Sequence, residues 1–206
     1  MNSYLVLGLG RFGKAFAKTL SELGHDVLGV DRNPQVVQDV SEELAHVITS
    51  EISNEEFLKS IGVSNFDAAV VAIGNDLQSS ILTTALLKEL GAKYIISKAQ
   101  NDLHAKVLMT VGANRVIFPE RDMGIRVANN LASHNIIDSI QLSGDHSIME
   151  TSIPEKWVGK TINELAIRAK YKVNILAVRK GDTLDISPGA DYVFKEDDIV
   201  SIMGKI

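Results

Sequence analysis

Residues 4–13 read Tyr-Leu-Val-Leu-Gly-Leu-Gly-Arg-Phe-Gly, and this stretch decides the fold. The apolar run Tyr4–Leu7 predicts a buried strand, and Gly8, Gly10 and Gly13 follow it at the spacing G-x-G-x-x-G. In this pattern the first glycine allows a tight turn, the second lets the backbone approach a pyrophosphate, and the third permits close packing of a helix on the strand. The stretch therefore predicts a strand, a phosphate-binding turn and a helix.

The same alternation of short apolar runs and amphipathic segments continues to about residue 118, which is typical of parallel strands joined by crossover helices. Asn33-Pro34 reads as the start of one helix, and Ser53 and Glu56 have the spacing of a capping box at the start of another. We therefore predict an α/β fold, a doubly wound parallel Rossmann sheet of six strands. Besides the first strand, the predicted strands are Asp26–Val30, Val47–Thr49, Ala68–Ile73, Tyr94–Ser97 and Val116–Phe118.

The pattern changes after residue 118. A helix over about 120–134 has no parallel strand after it, and from residue 136 short strands alternate with one helix, Thr161–Lys170, that opens on a Thr-x-x-Glu capping box. We predict three parts: a Rossmann nucleotide-binding domain (1–118), a crossover or dimerisation helix region (119–135) and a small α+β C-terminal ligand-binding domain (136–206). The last part is near the lower size at which a domain folds alone, so we expect it to pack against a second copy.

Composition narrows the function classes. The chain has 206 residues, 45% of them hydrophobic, and 21 basic against 26 acidic residues give a formal charge of −5. This balance argues against nucleic acid or an anionic membrane surface as the partner of the whole protein. The absence of cysteine excludes disulfides, thiolate nucleophiles and cysteine zinc sites. No apolar run approaches the length of a membrane span, so we expect a soluble, cytoplasmic protein.

An acidic residue stands where a ribose-binding group is expected. Asp31 ends the second predicted strand, eighteen residues beyond Gly13, close to the ~20 that is usual for an acid that binds ribose hydroxyls. A carboxylate there disfavours a 2′-phosphate, but the adjacent Arg32 leaves NADP open. Asp31 permits ATP, ADP and NAD(H) alike.

Other candidate site residues lie in the loops at the carboxyl ends of the strands, where ligands bind in open α/β sheets. Ser50 and Glu51 follow the third strand, and Ile73-Gly74-Asn75 follows the fourth. Arg11 and Phe12 lie inside the glycine turn, and Lys98 ends the fifth strand. Two fixed cations beside a phosphate-binding turn are suited to pair with terminal phosphates.

The sequence predicts no catalytic residues. Tyr94 and Lys98 have the Y-x-x-x-K spacing of short-chain dehydrogenases, but on a strand that spacing separates the side chains by roughly 13 Å. The five histidines show no metal-ligand spacing, there is no G-x-S-x-G motif, and only His104, near the start of a helix, lies close to the candidate site. We expect a protein that is not an enzyme; the alternative is a small NAD-dependent oxidoreductase.

Several segments together resemble the RCK family, the regulators of potassium conductance, and within it the Ktr-type and Trk-type subunits of potassium uptake. The resemblance covers nearly the whole chain. The segments that carry it are Gly8-Leu9-Gly10-Arg11-Phe12-Gly13, Val71-Ala72-Ile73-Gly74, Lys98-Ala99-Gln100, Phe118-Pro119-Glu120-Arg121-Asp122-Met123-Gly124 and Thr161-Ile162-Asn163-Glu164-Leu165.

The resemblance implies a non-catalytic sensor that gates a membrane potassium uptake channel or transporter. Its Rossmann domain would bind ATP, ADP or NAD(H), with Arg11 and Lys98 at the phosphates and Asp31 at the ribose. Members of the family form homodimers that assemble into a homo-octameric ring. That ring lies at the inner face of the cell membrane beneath a membrane-embedded potassium transporter subunit.

The resemblance also implies two further ligands. Glu120 would stand at a subunit junction and hold a divalent cation. Some Ktr-type C-terminal domains bind cyclic di-AMP at a dimer interface, and Arg168, Asn174, Ile175 and Pro188 match those positions, with Arg168 suited to phosphate and Ile175 to the base. A small apolar dimer interface would use the same four residues.

Overall fold

A computed structural model describes residues 2–132, 136–143 and 145–205. The chain divides into two compact units, residues 1–120 and residues 121–206. The helix α6 (Pro119–Ala132) begins in the first unit and continues into the second. Residues 133–135, at the predicted end of this helix, lie outside the described residues.

The first unit is built on six parallel strands in the order β3-β2-β1-β4-β5-β6. This is the doubly wound arrangement expected from the sequence, and it confirms the predicted fold class. The strands are β1 (Ser3–Leu7), β2 (Asp26–Asp31), β3 (His46–Thr49), β4 (Ala68–Val71), β5 (Ile95–Lys98) and β6 (Arg115–Ile117). The connecting helices are α1 (Arg11–Glu22), α2 (Pro34–Val40), α3 (Glu55–Ser60), α4 (Leu77–Glu89) and α5 (Asp102–Val111), with a 3-10 turn at Val63–Asn65.

The sheet is buried on both faces because helices cover both sides. Alternate residues of β1 point to opposite faces, and both sets are buried. Leu5 and Leu7 pack in one apolar cluster with Leu58 and Leu87, whereas Val6 packs on the other side in a separate cluster. Continuous apolar runs such as those of β1 and β4 follow from this two-sided burial.

Polar side chains mark where the helices of the first unit begin. Asn33, Asn54, Asp76 and Asn101 accept a backbone N–H bond from the first turn of α2, α3, α4 and α5, respectively. The predicted capping box at Ser53 and Glu56 is wrong by one residue. Asn54 caps α3, and its side chain accepts from the N–H of Phe57 at 3.0 Å. Asn and Ser are comparable N-caps, so the spacing alone selected the wrong one of two neighbours.

The second unit contains an antiparallel sheet in the order β10-β9-β11-β8-β7. Its strands are β7 (Ile136–Ser143), β8 (His146–Ser152), β9 (Val173–Lys180), β10 (Thr183–Ile186) and β11 (Ile199–Lys205). Between β8 and β9 lie two short helices, α7 (Ile162–Leu165) and α8 (Ile167–Tyr171). The predicted small α+β domain is therefore confirmed.

The single helix predicted over Thr161–Lys170 is interrupted. It does open on the predicted capping box, because Thr161 and Glu164 exchange backbone and side-chain hydrogen bonds at 2.7 and 3.1 Å. Ala166 then adopts a left-handed conformation with φ 45° and separates α7 from α8. The interruption lets Leu165 and Ile167 both enter the core, whereas residues two apart on a continuous helix do not face the same side.

The apolar side chains of α6 are exposed. No residue of α6 is buried, and its apolar side chains Met123, Ile125, Val127 and Leu131 are 47–79% exposed. Among the described residues, none of the helices has the length and apolar character needed to cross a membrane.

Candidate nucleotide-binding site

The reason for a glycine differs among the three glycine positions of the turn. Gly8 has φ +97°, and a Cβ there would lie 3.2 Å from the backbone of Ala72. A Cβ at Gly13 would lie 1.9 Å from the carbonyl oxygen of Gly8, so only glycine lets α1 pack this closely on β1. A Cβ at Gly10 would meet no atom within 4 Å. Gly8 and Gly13 thus serve packing, and Gly10 leaves open space at the start of α1.

The N-terminus of α1 differs from those of α2–α5. Gly10 occupies its N-cap position, and no side chain among the described residues caps it. The first N–H groups of a helix have no partner within the helix, and they stand at the positive end of its dipole. An uncapped helix start behind an open glycine is therefore suited to bind a phosphate group.

Asp31 holds the glycine turn against the end of β2. Its Oδ2 accepts a hydrogen bond from the N–H of Leu9 at 2.7 Å, and its Oδ1 accepts from the N–H of Asn33 at 2.9 Å. An ionised carboxylate has about four acceptor positions, so each oxygen retains capacity for a ribose hydroxyl. Asp31 can therefore shape the turn and bind a ligand at the same time.

A cavity of about 480 Å³ lies at the carboxyl ends of the strands, within the usual size range of ligand sites. The predicted residues that line it are Gly8, Gly10, Asp31, Arg32, Glu51, Ile73, Gly74 and Asn75. Arg11, Phe12 and Lys98 line an adjoining cavity instead, and two predicted residues line neither. Gly13 packs against the turn, and Ser50 donates its backbone N–H to the carbonyl oxygen of Asp31 at 3.0 Å. The sequence analysis missed Ile52, Ala72, Asp76, Leu77, Ser79 and Gln100 as lining residues.

A second cavity, of about 260 Å³, adjoins the first and shares Gly10, Ala72, Gly74 and Asn75 with it. The predicted residues Arg11, Phe12, Lys98 and Glu120 complete its lining. This cavity contains the cationic side chains of Arg11 and Lys98 and one carboxylate, that of Glu120. The excess of positive charge favours an anionic ligand. The two cavities therefore offer an acidic end for a ribose and a basic end for phosphates.

Lys98 and Glu120 form an ion pair in the second cavity, with Nζ 2.5 Å from Oε1. The side chain of Lys98 is 11% exposed and that of Glu120 is 72% exposed. The hydrogen bond from Lys98 lowers the pKa of Glu120, and the charge of Arg11 contributes in the same direction. At neutral pH the ionised carboxylate of Glu120 is therefore paired with the ammonium group of Lys98.

Gln100 and His104 connect α5 to the loop between the two cavities. The side-chain amide of Gln100 donates to the carbonyl oxygen of Gly74, and the backbone N–H of Gln100 donates to Nδ1 of His104 at 3.3 Å. His104 is buried, and burial lowers its pKa. No spacing in the sequence identifies this chain of contacts, because Gly74 and Gln100 are 26 residues apart.

Arg32 and Asp76 form an ion pair on the lining of the larger cavity. Nη1 of Arg32 lies 3.5 Å from Oδ2 of Asp76. Asp76 is fixed by its role as the cap of α4: it accepts from the backbone N–H of Ser79 at 3.0 Å and from the Ser79 hydroxyl at 2.7 Å. These hydrogen bonds lower the pKa of Asp76, and the charge of Arg32 adds to the effect.

The four residues predicted for a second ligand lie on neighbouring elements of the C-terminal unit. Arg168 is exposed on α8, which packs against β9, where Asn174 and Ile175 lie. Pro188 follows β10, the strand beside β9, and the preceding Ser187 N–H donates to the carbonyl oxygen of Leu176 at 2.9 Å. Ile175 also packs against the core of this unit.

Glu120 is the predicted metal ligand. Among the described residues no three acidic or histidine side chains lie close enough together to hold a metal ion. A cation at Glu120 would therefore need further oxygen ligands from elsewhere, such as water or the phosphates of a nucleotide, as is usual for Mg²⁺.

The fold and the two cavities define a Rossmann domain with a candidate nucleotide site, joined in sequence to a small antiparallel-sheet domain. Residues 4–119 match the TrkA-N domain, and residues 148–206 match the TrkA-C domain. The chain is 42% identical over 203 residues to Ktr system potassium uptake protein C of Bacillus subtilis (strain 168), covering 98% of this chain and 92% of that protein. The chain therefore belongs to the RCK family, and the regulatory subunits of Ktr potassium uptake are its homologues, which confirms the resemblance.

Solved structures show the same fold at lower identity. The GsuK channel bound to NAD superposes with a TM-score of 0.70 and 18% identity, covering 99% of this chain. GsuK bound to ADP gives a TM-score of 0.54 and 17% identity over 63% of this chain. The matches span only 37% and 35% of those longer channel chains, and at this identity they establish the fold alone.

Proposed function

We propose that this protein is a non-catalytic regulatory subunit that controls potassium uptake through a membrane-embedded partner at the inner face of the cell membrane. Its ligand is ATP or ADP, and NAD(H) suits the same site. One observation carries the proposal: the uncapped start of α1, at Gly10, lines both a cavity that contains Asp31 and an adjoining cavity that contains Arg11 and Lys98. The membership of the family supports the transport role.

The geometry suggests why a nucleotide whose terminal phosphate reaches Lys98 would act differently from a shorter one. Lys98 is paired with Glu120, so a terminal phosphate that reaches Lys98 competes with this carboxylate. The released Glu120 could then share a divalent cation with the phosphate. A ligand shifts a ring between two shapes only through its differential affinity for them, and this exchange of partners at Lys98 supplies such a difference. The ring in this proposal is a homo-octamer that is assembled from homodimers.

Nucleotide affinity of the purified chain tests the site. Arg11→Ala removes a cation from the phosphate end, and we expect it to weaken ATP binding by about tenfold, the usual effect of losing one charge-assisted hydrogen bond. Arg115→Ala is the matched control, because Arg115 is exposed on β6 and lines neither cavity. The proposal is wrong if the unsubstituted chain binds neither ATP nor ADP, or if Arg11→Ala keeps the full preference for ATP over ADP.

A small NAD-dependent oxidoreductase is the second candidate, because Asp31 would bind the ribose of NAD equally well. Against it, the described residues that line the two cavities include no histidine, tyrosine or cysteine for acid–base chemistry. Lys98, the lysine of the Y-x-x-x-K spacing, is paired with Glu120 instead. Sustained oxidation of NADH with a simple carbonyl substrate would favour the enzyme and exclude the sensor.

The C-terminal unit provides a second ligand site in this proposal, for cyclic di-AMP. The exposed guanidinium of Arg168 is suited to a phosphate, and Ile175 and Pro188 offer apolar surface nearby. We expect Arg168→Ala to abolish cyclic di-AMP binding and to leave ATP binding intact. If cyclic di-AMP does not bind and the same surface instead mediates dimerisation, these residues form the apolar interface that the sequence left open.

A further inference from the structure

The ribose end of the larger cavity has an unusual charge pattern. Asp31, Glu51 and Asp76 place three carboxylates on the lining, and Arg32 is the single guanidinium among them. An arginine next to the ribose-binding acid is the residue type that accommodates a 2′-phosphate in NADP-binding sites. By position alone, Arg32 would therefore extend the ligand range to 2′-phosphorylated adenosines.

The structure shows Arg32 already engaged. Its Nη1 lies 3.5 Å from Oδ2 of Asp76. Asp76 cannot turn away without losing two hydrogen bonds to Ser79, at 3.0 and 2.7 Å, that begin α4. The side chain of Arg32 is 61% exposed, so the pair adds little to folding stability. The ion pair instead affects ligand binding. A 2′-phosphate that bound Arg32 would have to displace the fixed carboxylate of Asp76 and approach its negative charge.

We propose that Asp76 determines specificity by withholding Arg32 from a 2′-phosphate, so that the site selects adenosine ligands with a free 2′-hydroxyl. The inference rests on the proposed nucleotide site and names the class of ligand that this site takes. Asp31 disfavours a 2′-phosphate by its own charge, and Asp76 neutralises the one group that would offset it.

The test compares two ligands, ADP and adenosine 2′,5′-bisphosphate, by calorimetry on the full chain. The variant is Asp76→Asn, which removes the charge and keeps an amide oxygen to cap α4, since Asn is as good an N-cap as Asp. We expect the preference for ADP over the bisphosphate to fall about tenfold. Asp39→Asn, the same exchange at an exposed position of α2 outside both cavities, should leave the preference unchanged.

Arg32→Gln separates release of the arginine from simple loss of negative charge. In the Asp76→Asn background it should abolish the gain in bisphosphate affinity, and alone it should leave the preference nearly unchanged, because Arg32 is already engaged. An unchanged preference in Asp76→Asn, or an equal gain without Arg32, overturns the inference and leaves the proposed function standing. A chain that binds neither ligand overturns the proposed function as well.

Discussion

At the scale of single residues, the glycine turn separates two requirements that the motif combines. Gly13 is required by packing, because a Cβ there would lie 1.9 Å from the carbonyl oxygen of Gly8. A Cβ at Gly10 would meet no atom within 4 Å, so we propose that glycine is needed there for the approach of the ligand. The same substitution at the two positions should therefore affect different properties.

Alanine at each glycine tests this distinction. Gly13→Ala should destabilise the fold by about 1–3 kcal/mol, although alanine is the better helix former within α1. Gly10→Ala should change the melting temperature little and weaken ATP binding, because its methyl group occupies the approach of the phosphate. Thermal unfolding and ATP titration of both variants give the two answers. Equal losses of stability in the two variants would contradict the assignment.

The residues that could be predicted are those whose role is set by their neighbours in the chain. The turn glycines and Asp31 belong to one strand–turn–helix–strand unit, and their positions follow from its spacing. Asp76 and Gln100 contribute through partners at Arg32 and Gly74, which the fold brings close from distant parts of the sequence. No periodicity carries information about such pairs, so they emerge only with the three-dimensional structure.

At the scale of elements, the start of α3 shows how accurately local sequence predicts a helix cap. The spacing predicts Ser53 as the cap, whereas the structure uses its neighbour Asn54, which accepts from the N–H of Phe57. The Ser53 hydroxyl instead lies 3.4 Å from a carboxylate oxygen of Glu51. The break at Ala166 has a different origin, because the core requires both Leu165 and Ile167. Capping follows from local chemistry to within a residue, whereas this break follows from tertiary packing.

Cap substitutions at α3 check the assignment. Asn54→Ala should lower the free energy of unfolding by about 1 kcal/mol, the usual cost of losing an N-cap. Ser53→Ala is the matched control and should have an effect within about 0.5 kcal/mol, as is usual for substitutions that remove neither a cap nor core packing. Urea unfolding of both variants measures the difference. A larger loss in Ser53→Ala would restore the capping box that the spacing predicted.

At the scale of the whole molecule, the exposed apolar side of α6 leads us to propose that this helix packs against a second copy of the chain. Met123, Val127 and Leu131 lie four residues apart and therefore share one face of the helix. Leu131 is 79% exposed, and no residue of α6 is buried. An apolar helix face of this kind is typical of an interface, and a second copy of the chain is the occupant that the proposed dimer requires.

A charge on this face tests the proposed assembly. Leu131→Asp should shift the mass measured by light scattering toward the monomer, because an aspartate buried in an apolar interface is costly unless it is paired. Leu23→Asp is the matched control, since Leu23 is 67% exposed at the end of α1 and lies outside α6. We expect the Leu131 variant to bind ADP with nearly normal affinity, because both cavities are lined by residues of the first unit. An unchanged mass in this variant would place the interface elsewhere, and loss of ADP binding would show that the partner copy contributes to the site.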